Sequence, residues 1–289
     1  MAFMRIFGAR GTHPAPGAEF AGYGGETACL AFFADEAEED GRLLDVGPLV
    51  VLDGGTGVIS LGAALARTPK GRAPERRPEI SIFLTHLHYD HISGLPFFAP
   101  IYQPKRRIKL YLAEDMVPYL RQYWQRPFFP LNIAEVPADL QLVGLAEAGE
   151  EQLLPELTVK YRRLPSPAHL DGVVMYRVTG PRGEVAYITD IELVAPEIMA
   201  EATAFAKGAE VLVCDATYMS GEEYEQHRGW GHNNIDMALT LAAEAGVRDL
   251  YLFHHEPTRR DAELELILAL AKTRRERVFL ASPAVQVYL

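Results

Sequence analysis

The densest group of reactive side chains in the sequence is a run of three histidines and one aspartate. His86, His88, Asp90 and His91 lie within six residues, directly after the apolar run 80–84. Such a run is typical of a buried strand, and side chains alternate along a strand, so His86 and His88 point to the same side. Imidazole binds zinc, iron and manganese, and a carboxylate adds charge and a harder oxygen. Four such side chains would crowd one ion but can serve two neighbouring ions, so the run predicts a metal site.

The spacing of these residues resembles the metal motif of the metallo-β-lactamase fold, in which the same pattern follows a buried strand. The resemblance implies an α/β protein, a four-layer αβ/βα sandwich of two mixed sheets with helices on the outer faces. It also implies two divalent metal ions, with zinc as the first expectation and manganese or iron as alternatives. We expect residues 1–289 to form one domain of this fold.

The family places further ligands at later strand ends, and the sequence has candidates there. His169 follows the strand-like run 157–164, Asp190 follows 184–188, and His254 follows 249–253. The resemblance implies one metal bound by His86, His88 and His169, a second bound by Asp90, His91 and His254, and Asp190 bridging the two. His255 would point to the opposite side of an extended chain. Whether His255 or His13 contributes to the site stays open.

A supporting role is implied for Asp53. The apolar strand 49–52 ends in Asp53-Gly54-Gly55-Thr56-Gly57 before a segment with helical spacing. This order resembles the first motif of the family, in which the aspartate braces the metal-binding loop by hydrogen bonds and is not a ligand. The segments 10–14 and 23–27 resemble a branch near ribonuclease Z and cyclic-nucleotide phosphodiesterases, although Glu26 stands where relatives more often carry Asn. The roles of the loops 8–27 and 126–130 stay open.

The segment 215–254 resembles ribonuclease Z most closely. In that enzyme an acidic residue after a strand pairs with a histidine that acts as proton donor, and the corresponding pair here is Asp215 and His232. Relatives carry a small hydroxyl residue soon after the histidine, whereas this chain has Asn233 and Asn234. A polar loop with His227 is expected between these two residues. The residues implied in catalysis are therefore Asp90, His232 and Asp215.

Composition restricts the partners. The chain of 289 residues has 48% hydrophobic residues and a formal net charge of −11. An acidic surface repels phosphate backbones, so long nucleic acid is disfavoured, and no basic Gly/Pro-rich insertion resembles the tRNA-grasping arm of ribonuclease Z. No run reaches the length of a membrane span, and the start is too short for a signal peptide. Cys29 and Cys214 are expected as buried free thiols, so a cytoplasmic protein is expected.

Other elements are predicted from apolar spacing. Helical spacing over 114–125 places Tyr119, Tyr123 and Trp124 on nearby faces, either in the core or along a substrate pocket. An amphipathic helix is expected over 261–274. Its apolar residues, all expected to pack on a sheet, are Leu264, Leu266, Ile267, Leu268 and Leu270. Residues 34–42 and 68–79 are expected to form solvated loops.

The main functional hypothesis is metal-dependent hydrolysis of a small or terminal phosphodiester, such as a cyclic nucleotide. Two ions can activate a water and hold both the attacking and the leaving oxygens, and His232 would protonate the departing alkoxide. An acyl, lactone or thioester hydrolase on the same metals is an alternative that does not require the pair of Asp215 and His232. A binding or sensor protein without turnover is another. A small-molecule substrate and no membrane partner are expected, and a homodimer is one expected assembly.

Overall fold

Two seven-stranded sheets and the helices that cover them form the architecture. The computed structural model describes residues 2–33, 38–39, 42–43, 49–66, 78–154, 157–166 and 168–289. Its strands are β1 Phe3–Gly8, β2 Cys29–Phe33, β3 Glu38–Glu39, β4 Arg42–Leu43, β5 Leu49–Leu52, β6 Ile80–Phe83, β7 Arg107–Ala113, β8 Asp139–Leu145, β9 Ala148–Leu154, β10 Leu157–Ser166, β11 His169–Gly180, β12 Gly183–Ile188, β13 Val211–Asp215, β14 Asp249–Phe253, β15 Val278–Leu280 and β16 Gln286–Tyr288. Its α-helices are α1 Gly57–Ala66, α2 Tyr89–Ile92, α3 Val117–Tyr123, α4 Pro196–Ala206, α5 Glu222–His227, α6 Ile235–Glu244 and α7 Asp261–Lys272.

The strand order decides where functional side chains can gather. The first sheet has the order β16-β1-β2-β5-β6-β7-β8, and the second has the order β15-β14-β13-β12-β11-β10-β9. Strands β5 to β8 run parallel to one another, as do β12 to β15. Parallel strands place their carboxyl ends along one edge, where ligands bind in open α/β sheets. The residues that follow these strands are therefore the ones that position a site.

The two sheets pack face to face around aromatic side chains. The Phe83 ring of β6 meets the Tyr176 ring of β11 edge-on at 5.5 Å between ring centres. The Tyr176 hydroxyl donates a hydrogen bond of 2.6 Å to the Leu84 carbonyl, which joins the sheets at the end of β6. Aromatic pairs of this geometry stabilise a core beyond the area they bury. Packing in the inner core thus fixes the position of the β6 end in the first sheet relative to β11 in the second.

Helices cover the outer faces, as the four-layer expectation requires. Leu61 of α1 and Leu120 of α3 belong to the core cluster of the first sheet. Leu241 of α6 and Leu264 of α7 pack with the outer face of the second sheet. The predicted fold class, an α/β sandwich of two mixed sheets with outer helices, is confirmed. Cys29 and Cys214 are buried and unpaired, as predicted.

The packing prediction for the last helix is wrong in part. Leu264 and Ile267 of α7 are buried, but Leu266 is 67% exposed and Leu270 is 55% exposed. A helix buries one stripe of its surface, and positions 266 and 270 lie one turn apart on the opposite face. Of the aromatic group expected in the core or along a substrate pocket, Trp124 is buried in the core, whereas Tyr119 is exposed and lines a cavity.

Some segments differ from the expected elements or extend beyond the described ones. Residues 222–227 form the helix α5, not the expected polar loop. Strands β8 and β9 and the helix α4 are elements that the apolar spacing did not predict. Most of the predicted loop 68–79 lies outside the described residues, and the predicted loop 34–42 is described only at β3 and β4. Within the described ranges, no helix is both long enough and apolar enough to cross a bilayer.

Candidate metal centre

Sharp backbone turns at three strand ends aim carboxylate and imidazole groups between the sheets. Asp53 after β5, Asp190 after β12 and His254 after β14 have φ angles of 60°, 61° and 57°. L-residues other than glycine rarely adopt this left-handed conformation, and each instance costs roughly 1–3 kcal/mol unless the surroundings enforce it. Such strain collects at functional sites, and here it lies at the edge where the sheet order places a site.

Three of the predicted ligands form a cluster of imidazoles. His86, His88 and His169 offer ring nitrogens that all lie within 4.8 Å of one another. His86 and His88 come from the loop after β6, and His169 begins β11 at the tight turn from β10. His169 lies about eighty positions after His86 and His88 in the sequence, and the fold brings the three rings together. We refer to them as the imidazole cluster.

Three other predicted ligands form a second cluster that contains a carboxylate. The Nε2 atom of His254 lies 3.0 Å from Asp90 Oδ2, and the Nε2 atom of His91 lies 3.4 Å from the same oxygen. The backbone N–H of Thr12 donates a 2.7 Å hydrogen bond to that oxygen as well. Asp90, His91 and His254 are referred to as the carboxylate cluster.

Asp190 lies between the two clusters. Its Oδ1 is 4.0 Å from Nε2 of His86 and 3.3 Å from Nε2 of His254, while its Oδ2 is 3.3 Å from Nε2 of His91. One carboxylate therefore reaches a member of each cluster. This is the position that the predicted bridging role requires.

Buried hydrogen bonds fix the orientation of the histidines that follow β6. His91 Nδ1 donates to Asp53 Oδ2 over 2.8 Å. The Thr85 hydroxyl donates to Asp53 and accepts from Nδ1 of His86 at 2.9 Å. Tyr187 donates a further 2.8 Å bond to Asp53. Asp53 thus has the contacts of a supporting residue, because it sets the rings of the two histidines without facing a cluster itself.

Two further histidines, one in each cluster, are held in the same manner. Nδ1 of His169 donates to the Ser166 hydroxyl over 2.9 Å, and Nδ1 of His254 donates to the Thr217 hydroxyl over 3.1 Å. A hydrogen bond at Nδ1 fixes the tautomer and leaves Nε2 as the ligating atom. The sequence analysis missed these hydroxyls; the available signal is a Ser or Thr within three residues of a predicted site residue.

Three of the inward-facing ring nitrogens have no hydrogen-bond partner in the protein. Among the described residues, Nε2 of His86, of His91 and of His169 are buried and make no hydrogen bond. Buried polar atoms without a partner are rare in native proteins and indicate a missing ion, water or functional role. Imidazole nitrogens with carboxylate oxygens are donors for borderline divalent metals. The residues present therefore fit divalent metal ions.

The electrostatics of the imidazole cluster differ from those of the carboxylate cluster. Burial lowers the pKa values of His86 and His88, and it lowers the pKa of His169 to about 4. Burial also opposes a charge on His254, but Asp190 and Asp90 outweigh it and raise its pKa to about 9. The pKa of His91 is raised in the same way. The first cluster is thus neutral at neutral pH, whereas the second holds protons where a metal cation would bind.

Asp215 and His232 meet beside the carboxylate cluster. His232 Nδ1 donates to Asp215 Oδ2 over 2.9 Å and lies 3.6 Å from Asp190 Oδ1. Asn233 fixes this loop, since its backbone N–H donates to Asp215 and its side chain bonds Leu193 and Ile191 at 2.8 and 2.9 Å. Asn233 thereby joins the loop of His232 to the loop after Asp190.

The two remaining candidate histidines lie outside the clusters. His255 is buried, and its Nε2 donates to the Ala281 carbonyl over 2.9 Å, on the side away from the site. His13 is exposed and its Nδ1 donates to the Pro14 carbonyl over 3.0 Å. Neither belongs to a ligand group found among the described residues.

Two cavities open onto the centre from different sides. The larger has a volume of about 710 Å³, and its lining includes Asp90, Asp190, His232 and Trp230. The smaller has a volume of about 370 Å³ and is lined by residues that include His86, His169 and Tyr119. His88 borders both cavities. A substrate can therefore reach the clusters from solvent.

Comparisons with known proteins agree with this geometry. A family model described as the beta-lactamase superfamily domain matches residues 49–255. A ribonuclease Z of Limosilactobacillus fermentum is 29% identical to this chain, over 60% of this chain and 68% of its own length. The metallo-beta-lactamase fold protein YhfI of Bacillus subtilis superposes with a TM-score of 0.68 at 17% identity, over 99% of this chain and 98% of that chain. A diphosphatase of the PhnP family superposes with a TM-score of 0.63 at 17% identity, over 99% of this chain and 96% of that chain.

The family match covers most of the chain and includes Asp53, both ligand clusters and His232. The chain therefore belongs to the beta-lactamase superfamily, as a metal-dependent hydrolase with the metallo-β-lactamase fold.

Proposed function

We propose that this hydrolase cleaves a small or terminal phosphodiester, with cyclic nucleotides as one candidate class. The observation that carries the proposal is the position of His232. Its Nδ1 is bonded to Asp215 at 2.9 Å, its ring lines the larger cavity, and Asp190 lies beside it. The other ring nitrogen is therefore the one free to give a proton to a departing oxygen.

The proposal includes two divalent cations, zinc first and manganese or iron as alternatives. The imidazole cluster would hold one cation, the carboxylate cluster would hold the other, and Asp190 would be shared. Bound cations of this kind lower the pKa of a coordinated water and stabilise negative charge on phosphate oxygens. The unpartnered Nε2 atoms of His86, His91 and His169 support this assignment.

The protein side chains supply the proton transfer. In the proposed step, a water oxygen forms a bond to phosphorus, and the phosphorus–oxygen bond to the leaving alcohol breaks. His232 gives its Nε2 proton to the leaving oxygen, and Asp215 keeps the ring oriented and stabilises its protonated form. Asp90, whose Oδ2 is held by Thr12, borders the same cavity and can accept a hydrogen bond from the attacking water.

The cavity and the charge favour a small substrate. A volume of about 710 Å³ is in the range of small-ligand sites. Glu223, Glu256 and Glu263 line it, and the chain carries a net charge of −11, which disfavours a long polyanion. The similarity to a ribonuclease Z and to a diphosphatase supports chemistry at phosphorus. A homodimer in the cytoplasm remains part of the proposal and is tested by solution mass and cell fractionation.

The test compares how strongly the cleavage rate depends on His232 for two substrates with different leaving groups. A cyclic nucleotide releases an alkoxide and needs a proton, whereas bis-p-nitrophenyl phosphate releases a phenolate that is stable as an anion. We expect His232→Ala to reduce kcat on the cyclic nucleotide by roughly 10²–10⁴-fold and to have a much smaller effect on the nitrophenyl ester. Asp215→Asn should give the same pattern more weakly, because it only orients the histidine.

His13→Ala is the matched control, since His13 lines the cavity but has no contact with Asp215 among the described hydrogen bonds. It should leave the difference between the two substrates unchanged. Metal content should be equal in all these variants. Equal losses on both substrates with lost metal would make His232 a ligand, and no loss on either would favour lactone or thioester hydrolysis.

A further inference from the structure

A row of aromatic rings leads from the metal centre to the rim of the larger cavity. The Tyr218 ring lies 6.0 Å from the ring of His232 and stacks on His227 at 4.4 Å and 15°. The His227 ring meets Trp230 at 4.9 Å and 85°. Tyr218, His227 and Trp230 all line the cavity. We call these three residues the aromatic wall.

Trp230 is displayed to solvent by a rigid turn. Its side chain is 61% exposed, whereas the other tryptophan, Trp124, is fully buried. Gly229 and Gly231 on either side have φ angles of 86° and 90°, and the N–H of Gly229 donates to Glu192 over 2.9 Å. Only glycine adopts such angles without strain. The turn is therefore shaped to hold a large apolar ring in water, where it adds little to the stability of the fold.

The rest of the wall holds the indole in place from within. His227 ends α5, and its Nδ1 donates to the Glu223 carbonyl over 2.7 Å. Tyr218 is buried behind His227. Contact with His227 restricts the Trp230 ring on one side while most of its surface stays open. A fixed and open indole offers a surface on which a planar group can stack.

A cationic ligand fits this wall less well. Cation recognition uses several open aromatic faces, but within the wall Tyr218 is covered and only Trp230 is exposed, and the exposed Tyr89 of the same lining has its ring against Tyr123, not against the wall. The acidic residues of the cavity already have donors within the protein. Glu223 pairs with Arg259, and Glu256 accepts from the N–H and the hydroxyl of Thr258 at 2.9 and 2.6 Å. Because these carboxylates already accept hydrogen bonds or pair with a cation inside the protein, a neutral planar ring fits the wall better than a cation does.

The smaller cavity supplies a place for a second group. It lies beside the imidazole cluster, and Leu87, Met116 and Tyr119 give it an apolar lining. His88 lies at the junction of the two cavities. A phosphodiester carries two organic groups on one phosphorus, and the two cavities offer one site for each. His232 borders only the larger of the two described cavities, so the group there is the one that receives its proton.

We propose that the substrate is an open-chain nucleoside phosphodiester whose departing nucleoside stacks its base on Trp230. The smaller cavity holds the group that stays on the phosphate. Water oxygen bonds to phosphorus, the bond from phosphorus to the nucleoside oxygen breaks, and that oxygen takes the proton of His232. The attacking water loses one proton to solvent, and His232 regains a proton from solvent before the next turnover. The products are a nucleoside and a phosphate monoester of the retained group. This inference rests on the proposed phosphodiester function and narrows its substrate class.

Binding tests the wall without turnover. Adenine stacked on Trp230 should quench its fluorescence, while Trp124 is shielded in the core. We expect adenosine 5′-monophosphate to quench the wild-type protein saturably, ribose 5-phosphate to quench it little, and Trp230→Phe to abolish the saturable change. Absence of saturable quenching by the nucleotide would overturn the proposal, whether or not any diester is hydrolysed.

Kinetics test the substrate class with a matched pair of esters. The methyl phosphodiesters of adenosine (through its 5′ oxygen) and of ribose (through its 5 oxygen) differ only in the base. The wild type should prefer the adenosine ester in kcat/KM by roughly 5- to 150-fold, the range of base stacking on one aromatic side chain. Trp230→Ala should remove this preference by lowering kcat/KM for the adenosine ester towards that of the ribose ester. Phe128→Ala, which removes another exposed aromatic ring outside the lining of both cavities, should keep it.

The products and a cationic probe decide between the remaining outcomes. Release of adenosine and methyl phosphate supports the assignment of the departing group, and release of adenosine monophosphate and methanol overturns it. A preference for choline methyl phosphate over its neutral dimethylbutyl analogue, lost in Trp230→Ala, would make the wall a cation site and overturn the proposal. If the ribose ester is cleaved but the base has no effect, only this inference fails. If no phosphodiester is cleaved, the proposed function fails too.

Discussion

The two ligand clusters differ in how they would exist without metal. In the imidazole cluster, burial keeps the rings neutral, and the pKa of His169 falls to about 4. In the carboxylate cluster, Asp90 and Asp190 raise the pKa of His254 to about 9 against the effect of burial. The supports differ in part, since hydroxyls hold His86, His169 and His254 whereas a carboxylate, Asp53, holds His91.

Because of this difference, a metal ion would compete with few protons in one cluster and with bound protons in the other. The imidazole cluster presents free nitrogen lone pairs at neutral pH, so a cation competes with few protons there. In the carboxylate cluster a cation must displace protons from His91 and His254, and it replaces their charge next to the carboxylates. The centre is therefore asymmetric, and substitutions should affect the two halves unequally unless they change Asp190.

Replacement of Asp190 should have the largest effect, because this residue contacts both clusters. We expect Asp190→Asn to lower kcat/KM by about 10³-fold or more and to weaken metal binding in both halves. Asn is the informative variant, since it tolerates the left-handed backbone at position 190 better than Ala does. Steady-state kinetics and elemental analysis compare the activity and the metal content of Asp190→Asn with those of the wild type. Normal turnover by Asp190→Asn would refute the shared role.

The stability of the metal-free protein should depend on pH in opposite directions for the two halves. The folded pKa of His254, about 9, exceeds its ordinary value of 6.5, so its stabilisation is complete below pH 6.5 and is lost as pH rises towards 9. The folded pKa of His169, about 4, lies below 6.5, so stability falls as pH drops from 6.5 towards 4. Each shift corresponds to about 3 kcal/mol.

Denaturant unfolding of the metal-free protein at pH 4.5, 6.5 and 9 measures both trends. Stability should be greatest near pH 6.5. His254→Asn should reduce the pH dependence of stability on the alkaline side only, where His91 still contributes, and His169→Gln should reduce it on the acidic side only, where His86 and His88 still contribute. A metal-free wild type that is equally stable at pH 6.5 and 9 would contradict the electrostatic difference between the clusters.

Part of this candidate centre could be predicted from the sequence because its proposed ligands and the supporting Asp53 follow apolar strands. The bounds of β5 and β14 agree with their apolar runs, and Asp53 and His254 come directly after them. The left-handed backbone at these two positions has no sequence signal, because it is imposed by the packing of both sheets. Helix α4 was missed because its buried residues are mainly small, with Ala202 and Ala206 beside Phe205.

A nearby Ser or Thr can be noted in the sequence, but which histidine it supports could not be predicted, and neither could the aromatic wall, for a related reason. Thr217 meets His254 across 37 positions of sequence, and only the parallel pairing of β13 and β14 brings them together. Tyr218 stacks on His227 only because residues 222–227 fold into α5. These contacts depend on tertiary packing, whereas the ligand types depend on local sequence.

Because the carboxylate of Asp53 supports His91, we expect replacement of Asp53 to have a moderate effect on metal affinity. Asp53→Asn removes the charge that holds His91 but suits the left-handed backbone. We expect a loss of roughly 10- to 100-fold in metal affinity, confined to the carboxylate cluster. Competition with a chromophoric chelator measures it. An equal loss in both halves would show that Asp53 supports the whole loop through Thr85 and not His91 alone.

The smallest effect is expected for Ser166→Ala. This change removes one neutral hydrogen bond to His169, worth about 1 kcal/mol, which corresponds to about a 5-fold loss of affinity in the imidazole cluster. The same chelator competition detects it. A loss larger than that of Asp53→Asn would reverse the ranking of the two supports.

The most direct test of the central claim is the number of metal ions bound by each half. Protein stripped with a chelator is loaded with zinc, dialysed and measured by elemental analysis. We predict about two zinc ions per chain for the wild type and about one for each of His169→Ala and His254→Asn. A wild-type value of one or fewer, or an unchanged value in both variants, would contradict a centre of two unequal metal sites.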